Sequence, residues 1–326
     1  MTESEPIRYA QFGPPPLEGD NANHSPTSDD PWWQESALFG WGDPRRGHGG
    51  FLRWAIHPNQ GVSNLYAWIA WRGRTVYRRQ LTDQPLPAAE LLNCTIGDCS
   101  VRTLKPLMAY DLALSAGKLA VRLRWQNFHW PLAMRLNVGS ATLAAGHYNM
   151  LGDAIGQVSV DGQEFAVHGS GFSDHSWGVR RRHLPASRSY FCIFDPEFYL
   201  MALPVLTDEG ERHLLGYVRC DGQLGRLGSD STFGYAMRDD WITVAGCDSF
   251  FRDDLERGFH ITGRTLSESS TWAMGHGKLV HHAVAEFECG GRLGRGILEV
   301  AHPRKMRPDQ VAESGLDPAG WWLNER

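Results

Sequence analysis

Two-residue turns cut this chain into short pieces. Val158-Ser159-Val160-Asp161-Gly162-Gln163-Glu164-Phe165 sets Asp-Gly between two alternating runs, and Tyr217-Val218-Arg219-Cys220-Asp221-Gly222-Gln223-Leu224 repeats the device. Asp-Gly supplies the two consecutive positive-φ positions that a tight antiparallel hairpin requires. Thr207 to Glu211 and Cys289-Gly290-Gly291-Arg292 read as further turns. Between turns the pattern is that of strands. In Lys118 to Trp125, Leu119, Val121, Leu123 and Trp125 share one face and Arg122 and Arg124 the other, as in a half-buried antiparallel strand. Leu65 to Trp71 carries no charge and is rich in aromatics, which fits a strand buried on both faces. Helical signals are few: a short turn at Pro87 to Leu92 and a short helix at Arg307 to Ser314. The fold class is all-β, with sheets closed or stacked so that their edges are protected.

At 326 residues the chain is long enough for two domains or one large one. Residues 1–30 hold Pro14-Pro15-Pro16, several acids and few apolar side chains, and read as a flexible arm or loosely docked lead-in. The expected division is an arm over 1–30, a β-domain over 31–178 and a second β-domain over 179–326. The net charge is −5 and no long basic stripe occurs, which argues against nucleic acid as a partner. The six cysteines form no C-x-x-C and are expected to be reduced, mostly buried thiols. The first residues lack a basic and an apolar leader region, and no run approaches the ~18 apolar residues of a membrane span. The expectation is a soluble, cytoplasmic protein; a homodimer is left open.

Asp174-His175-Ser176-Trp177-Gly178 gathers an acid, an imidazole and an indole in four positions, after Gly169-Ser170-Gly171-Phe172-Ser173. In an extended segment His175 and Trp177 share one face, and Asp174 and Ser176 the other. A proton carrier beside a large π surface suits chemistry on an apolar, electron-rich molecule. The alternative is a hydrogen-bonded histidine packed on a core tryptophan. Asp174, His175 and Ser176 contain the residue types of a nucleophilic triad, but adjacent strand residues point apart and cannot form a relay with one another. There is no G-x-S-x-G elbow, no P-loop and no G-x-G-x-x-G opening a helix. His276 and His281-His282 have tolerable spacing for a metal but no acid or cysteine at ligand spacing, so neither metal nor cofactor is expected.

The stretch Gly169 to Gly178, G-x-G-x-x-D-H-S-W-G, resembles the signature of a lipocalin-like group that includes carotenoid 1,2-hydratases (hydroxyneurosporene synthases), AttH-like proteins and fungal Diels–Alderase-type cyclases. Trp33-Gln34-Glu35-Ser36 resembles its W-x-E-S element, and Asn59-Gln60-Gly61 after Pro58 its P-N-x-G turn. Gly146-His147-Tyr148, ahead of Gly156 and Asp161-Gly162, resembles the approach to the end of the first domain. These motifs span residues 32–180, with weaker strand-level likeness to about residue 300. The resemblance implies two calycin-like antiparallel β-sandwich or barrel domains packed together, few short helices, and an apolar pocket between the domains for a terpenoid, steroid-like or polyene molecule. It also implies water addition to a double bond or pericyclic ring closure. Where the carotenoid enzymes carry a Tyr and an Asp further along the chain, Leu200-Met201-Ala202-Leu203-Pro204 supplies neither, so carotenoid hydration itself is not expected.

The expected function is therefore a cofactor-independent lyase or isomerase, of the hydratase or dehydratase type, working on a lipophilic small molecule by acid–base chemistry. Asp174, His175, Glu35 and His147 are the candidate acids and bases. Trp177 is the candidate for stabilising a developing cation. Trp33, Tyr148, Tyr190 and Tyr199 are candidates for substrate contact. Arg180 can pair with Asp174, which would make Asp174 an orienting group. The other readings are a non-catalytic carrier of a hydrophobic molecule, a pericyclic cyclase, and a module whose interior is merely packed.

Overall fold

The two-residue turns adopt the backbone that the sequence asks for. Asp161 and Gly162 have φ of 51° and 80°, Asp221 and Gly222 of 52° and 71°, and Gly290 and Gly291 of 56° and 81°. They join Gly146–Val160 to Gln163–Val179, Arg212–Cys220 to Gln223–Arg226, and Lys278–Cys289 to Arg292–Pro303, each as an antiparallel pair. The structure is a computed structural model and describes residues 13–43, 45–138, 141–142, 144–180, 186–206, 212–228, 230–238, 244–274 and 278–303. The turn expected at Thr207 to Glu211 and the helix expected at Arg307 to Ser314 lie outside the described residues. Near the turn expected at Pro87 to Leu92, Leu91–Asn93 forms one 3-10 turn.

The chain divides into two units. The first comprises Met1–Asp43, His48–Ile69 and Val76–Arg181, and the second Pro44–Gly47, Ala70–Thr75 and Arg182–Arg326. The described strands form two large curled antiparallel sheets, with Asn137–Val138 and Ala141–Thr142 as a separate antiparallel pair.

In the first unit, Gln163–Val179 runs through the middle of the sheet, between Trp33–Asp43 and Gly146–Val160. Beyond Trp33–Asp43 the order continues through His48–His57, Val62–Trp71 and Arg74–Pro85. Beyond Gly146–Val160 it runs through Leu119–Asn127, Ala109–Ala116, Cys99–Lys105 and Thr95–Ile96. Leu119–Asn127 alternates as expected, with Leu119, Val121, Leu123 and Trp125 buried and Arg122 and Arg124 exposed. Leu65 to Trp71 is buried throughout. On one face the Phe39 ring packs edge-on against Tyr110 and Trp125, with centroids 5.1 and 5.5 Å away, and against Trp54 at 6.2 Å. The other face carries Phe51 against Tyr66 and Phe172.

Residues 13–30 are tied to this sheet. Asn21 is buried; its Oδ1 accepts from Leu107 N at 3.1 Å and Tyr110 OH at 2.7 Å, and its Nδ2 donates to Thr103 Oγ1 at 3.1 Å. Trp130 Nε1 donates to Pro16 O at 2.9 Å. An amide that answers partners on two strands and on the turn between them fixes a segment that hydrophobic burial alone would leave loose.

The sheet of the second unit runs Gln223–Arg226, Arg212–Cys220, Phe198–Leu206, Ala186–Asp195, Arg292–Pro303, Lys278–Cys289, Gly258–Thr265, Val244–Arg252 and Thr232–Met237. Ser270–Met274 pairs with Lys278–Cys289 off this path. Tyr190, Leu200, Val218, Phe251, Ile261, Phe287 and Leu298 are among its core residues. All six cysteines are free thiols, five of them buried. Burial pushes Cys94 and Cys99 up to about 12, which leaves them protonated and unreactive at neutral pH. No helix among the described residues is long and apolar enough to cross a membrane.

Candidate functional site

Register decides which sequence candidates meet. Glu35 lies opposite Trp177, and Tyr148 lies opposite His175. Residues i and i+2 of a strand share a face, so Glu35, Tyr148, His175 and Trp177 project from one side of the sheet. Asp174 pairs with Leu38 and Asn149, and Ser176 with Ser36 and His147. Asp174 and His147 therefore occupy the opposite face. The structure joins two of the four expected acids and bases and separates the other two from them.

Glu35 and His175 are completely buried, at 0% exposure. His175 Nε2 lies 2.8 Å from Glu35 Oε1, and His175 Nδ1 lies 2.8 Å from Tyr148 OH. A fourth member comes from the lead-in. His24 Nδ1 lies 2.8 Å from Glu35 Oε1, and the His24 backbone N–H donates to Glu35 Oε2 at 2.9 Å. The His24 ring stacks on the Trp177 indole, with centroids 3.6 Å apart and planes 8° from parallel. Its Nε2 faces Asp20 Oδ1 at 3.6 Å.

The carboxylate fixes the tautomers. Burial on its own raises the Glu35 pKa. Hydrogen bonds from His175 and His24, with the charge on His175, outweigh it and hold the group below its ordinary 4.5. An ionised carboxylate only accepts, so His175 Nε2 and His24 Nδ1 both carry hydrogens. In the neutral ring His175 Nδ1 accepts from Tyr148 O–H. When that nitrogen is protonated it donates instead, and the phenol hydrogen can turn to Asp20 O, 3.3 Å away. Burial, followed by the neighbouring Tyr110, Asp20, Glu35 and Asp174, pushes Tyr148 well above the ordinary phenol range, so it stays a neutral O–H. The four groups form a continuous hydrogen-bonded chain, Tyr148–His175–Glu35–His24, buried at one end and reaching solvent at His24, whose side chain is 21% exposed.

Trp177 has its place because residue 146 has no side chain. A Cβ on Gly146 would sit 2.1 Å from Trp177 Cζ2 and 2.2 Å from Cε2. Gly146→Ala is expected to displace the indole, break its stack with His24 and cost about 1–3 kcal/mol in unfolding free energy. Denaturant unfolding and the indole N–H resonance of Trp177 check both halves.

On the opposite face, Arg180 Nη2 donates to Ser176 Oγ at 2.5 Å. Burial lowers the Arg180 pKa, opposed by the negative charge of Asp174. That placement fits Asp174 as the orienting partner of a guanidinium. His147 is buried, and burial followed by the positive charge of Arg180 depresses its pKa to about 3, so it is neutral. The remaining candidates lie elsewhere. Trp33 is buried on the Glu35 face. Tyr190 is in the core of the second unit with its hydroxyl 3.0 Å from Ser249 Oγ, and Tyr199 is buried beside Tyr217.

His24 is the member that sequence reasoning missed. It stands alone in a proline-rich, acidic stretch without periodicity, and no local signal marks it. His24, Glu35 and His175 also form the cluster, among the described residues, in which three donor atoms lie within 4.8 Å of one another, as a bound cation would need. Both ring N–H groups converge on a single oxygen at hydrogen-bond distance, which completes the network by hydrogen bonds alone. Of the histidines weighed from sequence as ligands, His276 lies outside the described residues. His281 Nδ1 is 2.7 Å from Thr271 Oγ1, and His282 Nε2 is 2.7 Å from Glu299 Oε2.

Two curled antiparallel sheets, each with its own packed core, define a two-domain lipocalin-like protein. The chain belongs to the family described as "Domain of unknown function (DUF7064)", whose model matches residues 18–304. No curated protein sequence matches it. Among solved structures it is similar to an AttH-like protein of Nitrosomonas europaea, with a TM-score of 0.65 and 13% identity over 87% of this chain and 95% of that one. It is similar to kievitone hydratase from Nectria haematococca, with a TM-score of 0.57 and 12% identity over 89% of this chain and 93% of that one. CghA, solved with Sch210972, gives a TM-score of 0.55 and 12% identity over 86% and 93% of the two chains. The fold expected from the sequence motifs is the fold these proteins share.

Proposed function

We propose that this protein is a lyase or isomerase that moves a proton to or from a lipophilic small molecule, with hydration or dehydration of a carbon–carbon double bond as the reaction. The observation that carries the proposal is the buried Tyr148–His175–Glu35–His24 hydrogen-bonded chain beside the Trp177 indole. In hydration, the acid protonates one alkene carbon, water attacks the other, and the water's proton returns to the base. Two imidazoles that share one carboxylate offer both a donor and an acceptor for these transfers. Glu35 keeps both rings in the required tautomers, and Tyr148 adapts to either charge state of His175. His24, at the accessible end, is the group proposed to exchange the proton with substrate. That a hydratase shares the fold supports the reaction class as an analogy. Asp174 is assigned to orientation and His147 to the protein interior.

The test is a panel of terpenoid and steroid alkenes and alcohols, followed by mass spectrometry for gain or loss of one water. Wild type should convert at least one of them. His175→Asn, folded by circular dichroism, should lose about 10²–10⁴-fold in turnover. No conversion by wild type, or equal turnover by the variant, rejects the reading.

One observation favours a carrier instead: both nitrogens of His175 are already engaged and its ring is sealed from solvent. In that case His24→Ala changes ligand affinity and no chemistry is found.

A further inference from the structure

The second unit encloses a cation for which the described chain supplies no anion. Arg188 lies on Ala186–Asp195 and is only 1% exposed. It shares a face with Tyr190 and pairs across the sheet with Val300, and both are core residues. Its Cζ lies 5.8 Å from the centre of the Tyr235 ring. Among the described residues Nη1 reaches only the carbonyl of the adjacent Ser187, at 3.5 Å, and Nε has no hydrogen-bond partner.

The neighbouring groups cannot answer it. Tyr190 OH is 3.0 Å from Ser249 Oγ, and Tyr235 OH donates to Ser189 O at 2.8 Å. The acid that register brings alongside is Glu299, which pairs with Ser189 and so points to the other face. There its oxygens take Ser189 Oγ at 2.8 Å and His282 Nε2 at 2.7 Å. Burial lowers the Arg188 pKa only to about 10, so the group is a cation at neutral pH. A guanidinium carries five N–H donors in a planar fork. Burying one without a carboxylate is among the most expensive arrangements in a protein core, and a chain that needed only bulk here would do better with methionine or leucine.

We propose that Arg188 anchors an anion-binding site inside the second unit, and that its ligand is a carboxylate carried on an otherwise apolar molecule. The geometry of the fork matches a carboxylate, which can take two parallel hydrogen bonds from Nε and Nη2. The single positive charge selects a monoanion over a doubly charged phosphate. The side chains around the guanidinium are those of Tyr190, Tyr235 and Val300, with Phe251 behind them, so the body that carries the carboxylate is expected to be apolar. The site belongs to the second unit alone and does not depend on the hydrogen-bonded chain of the first.

The probe is a series of straight-chain carboxylates from butanoate to dodecanoate, set against alcohols of equal length. Titration calorimetry and thermal unfolding give the readout. At least one chain length should bind wild type tenfold or more tightly as the acid, and raise the melting temperature where the alcohol does not. Arg188→Met should abolish that preference while leaving alcohol binding unchanged. The Arg188 Nε–H resonance of the wild-type protein should shift on adding the acid, a readout that requires no variant to fold. Equal binding of acid and alcohol at every length, a preference that survives Arg188→Met, or an unmoved resonance overturns the proposal.

Discussion

Between pH 7 and pH 4 the folded protein should lose about 3 kcal/mol of stability to one side chain, His147. Its folded pKa is depressed from 6.5 to about 3 by burial and by the charge of Arg180. Within that window the unfolded chain binds a proton that the folded chain refuses. Lowering the pH therefore favours unfolding, and the loss continues until the pH reaches about 3. Glu35 acts in the same direction at lower pH. Its carboxyl is held below 4.5, so the stability it confers is present above that value and disappears as the pH falls through the folded pKa. Urea unfolding of wild type and His147→Gln across this range separates the two. The variant lacks this one imidazole, so between pH 7 and pH 4 its stability should fall by about 3 kcal/mol less than that of wild type, the remaining fall coming from the other histidines and the carboxylates. If the two curves run parallel, His147 titrates in the folded state and its burial has been misread.

Glu35→Ala should cost about 3–5 kcal/mol, because three donors then face a buried hollow with no acceptor. His175 Nε2, His24 Nδ1 and the His24 backbone N–H all converge on this one carboxylate. Glu35→Gln keeps an oxygen for part of that set and should cost clearly less. The order Ala worse than Gln, read from urea midpoints at constant m-value, distinguishes loss of an acceptor from loss of bulk. A change below 1 kcal/mol for Ala would mean that water replaces the carboxylate at no cost, and the network would not be the organising feature of this face.

Much of the site follows from counting along one hairpin. The turn at Asp161-Gly162 pairs Val160 with Gln163; stepping back along both strands reaches Tyr148 with His175 and His147 with Ser176. Side-chain alternation then puts His147 on the Asp174 side, which residue-type matching had ignored. The strand alternation at Leu119 to Trp125 and the turns were legible for the same reason: they are local, with a period of two and a two-residue loop. Glu35 could be suspected only by motif, because its strand reaches Gln163–Val179 across more than a hundred residues and sequence fixes no register over that distance. His24 could not be read at all. Its position rests on Asn21, whose three partners are a backbone amide in a turn and a tyrosine and a threonine on the two strands it joins, and no periodicity encodes such an anchorage. Glu299 was missed beside His282 for a similar reason: seventeen residues separate them in the chain, and a hairpin turn brings them level.

The lead-in that bears His24 also sets a clock. His175 has no exposed surface, and the His24 ring, stacked on Trp177, has its centroid 5.8 Å from that of His175. A molecule that entered by displacing the lead-in would first have to break the Asn21 hydrogen bonds, an excursion paced by local opening. Arrival at the inner ring would then be limited by the protein's own breathing, and would stay at the same frequency however much ligand is supplied.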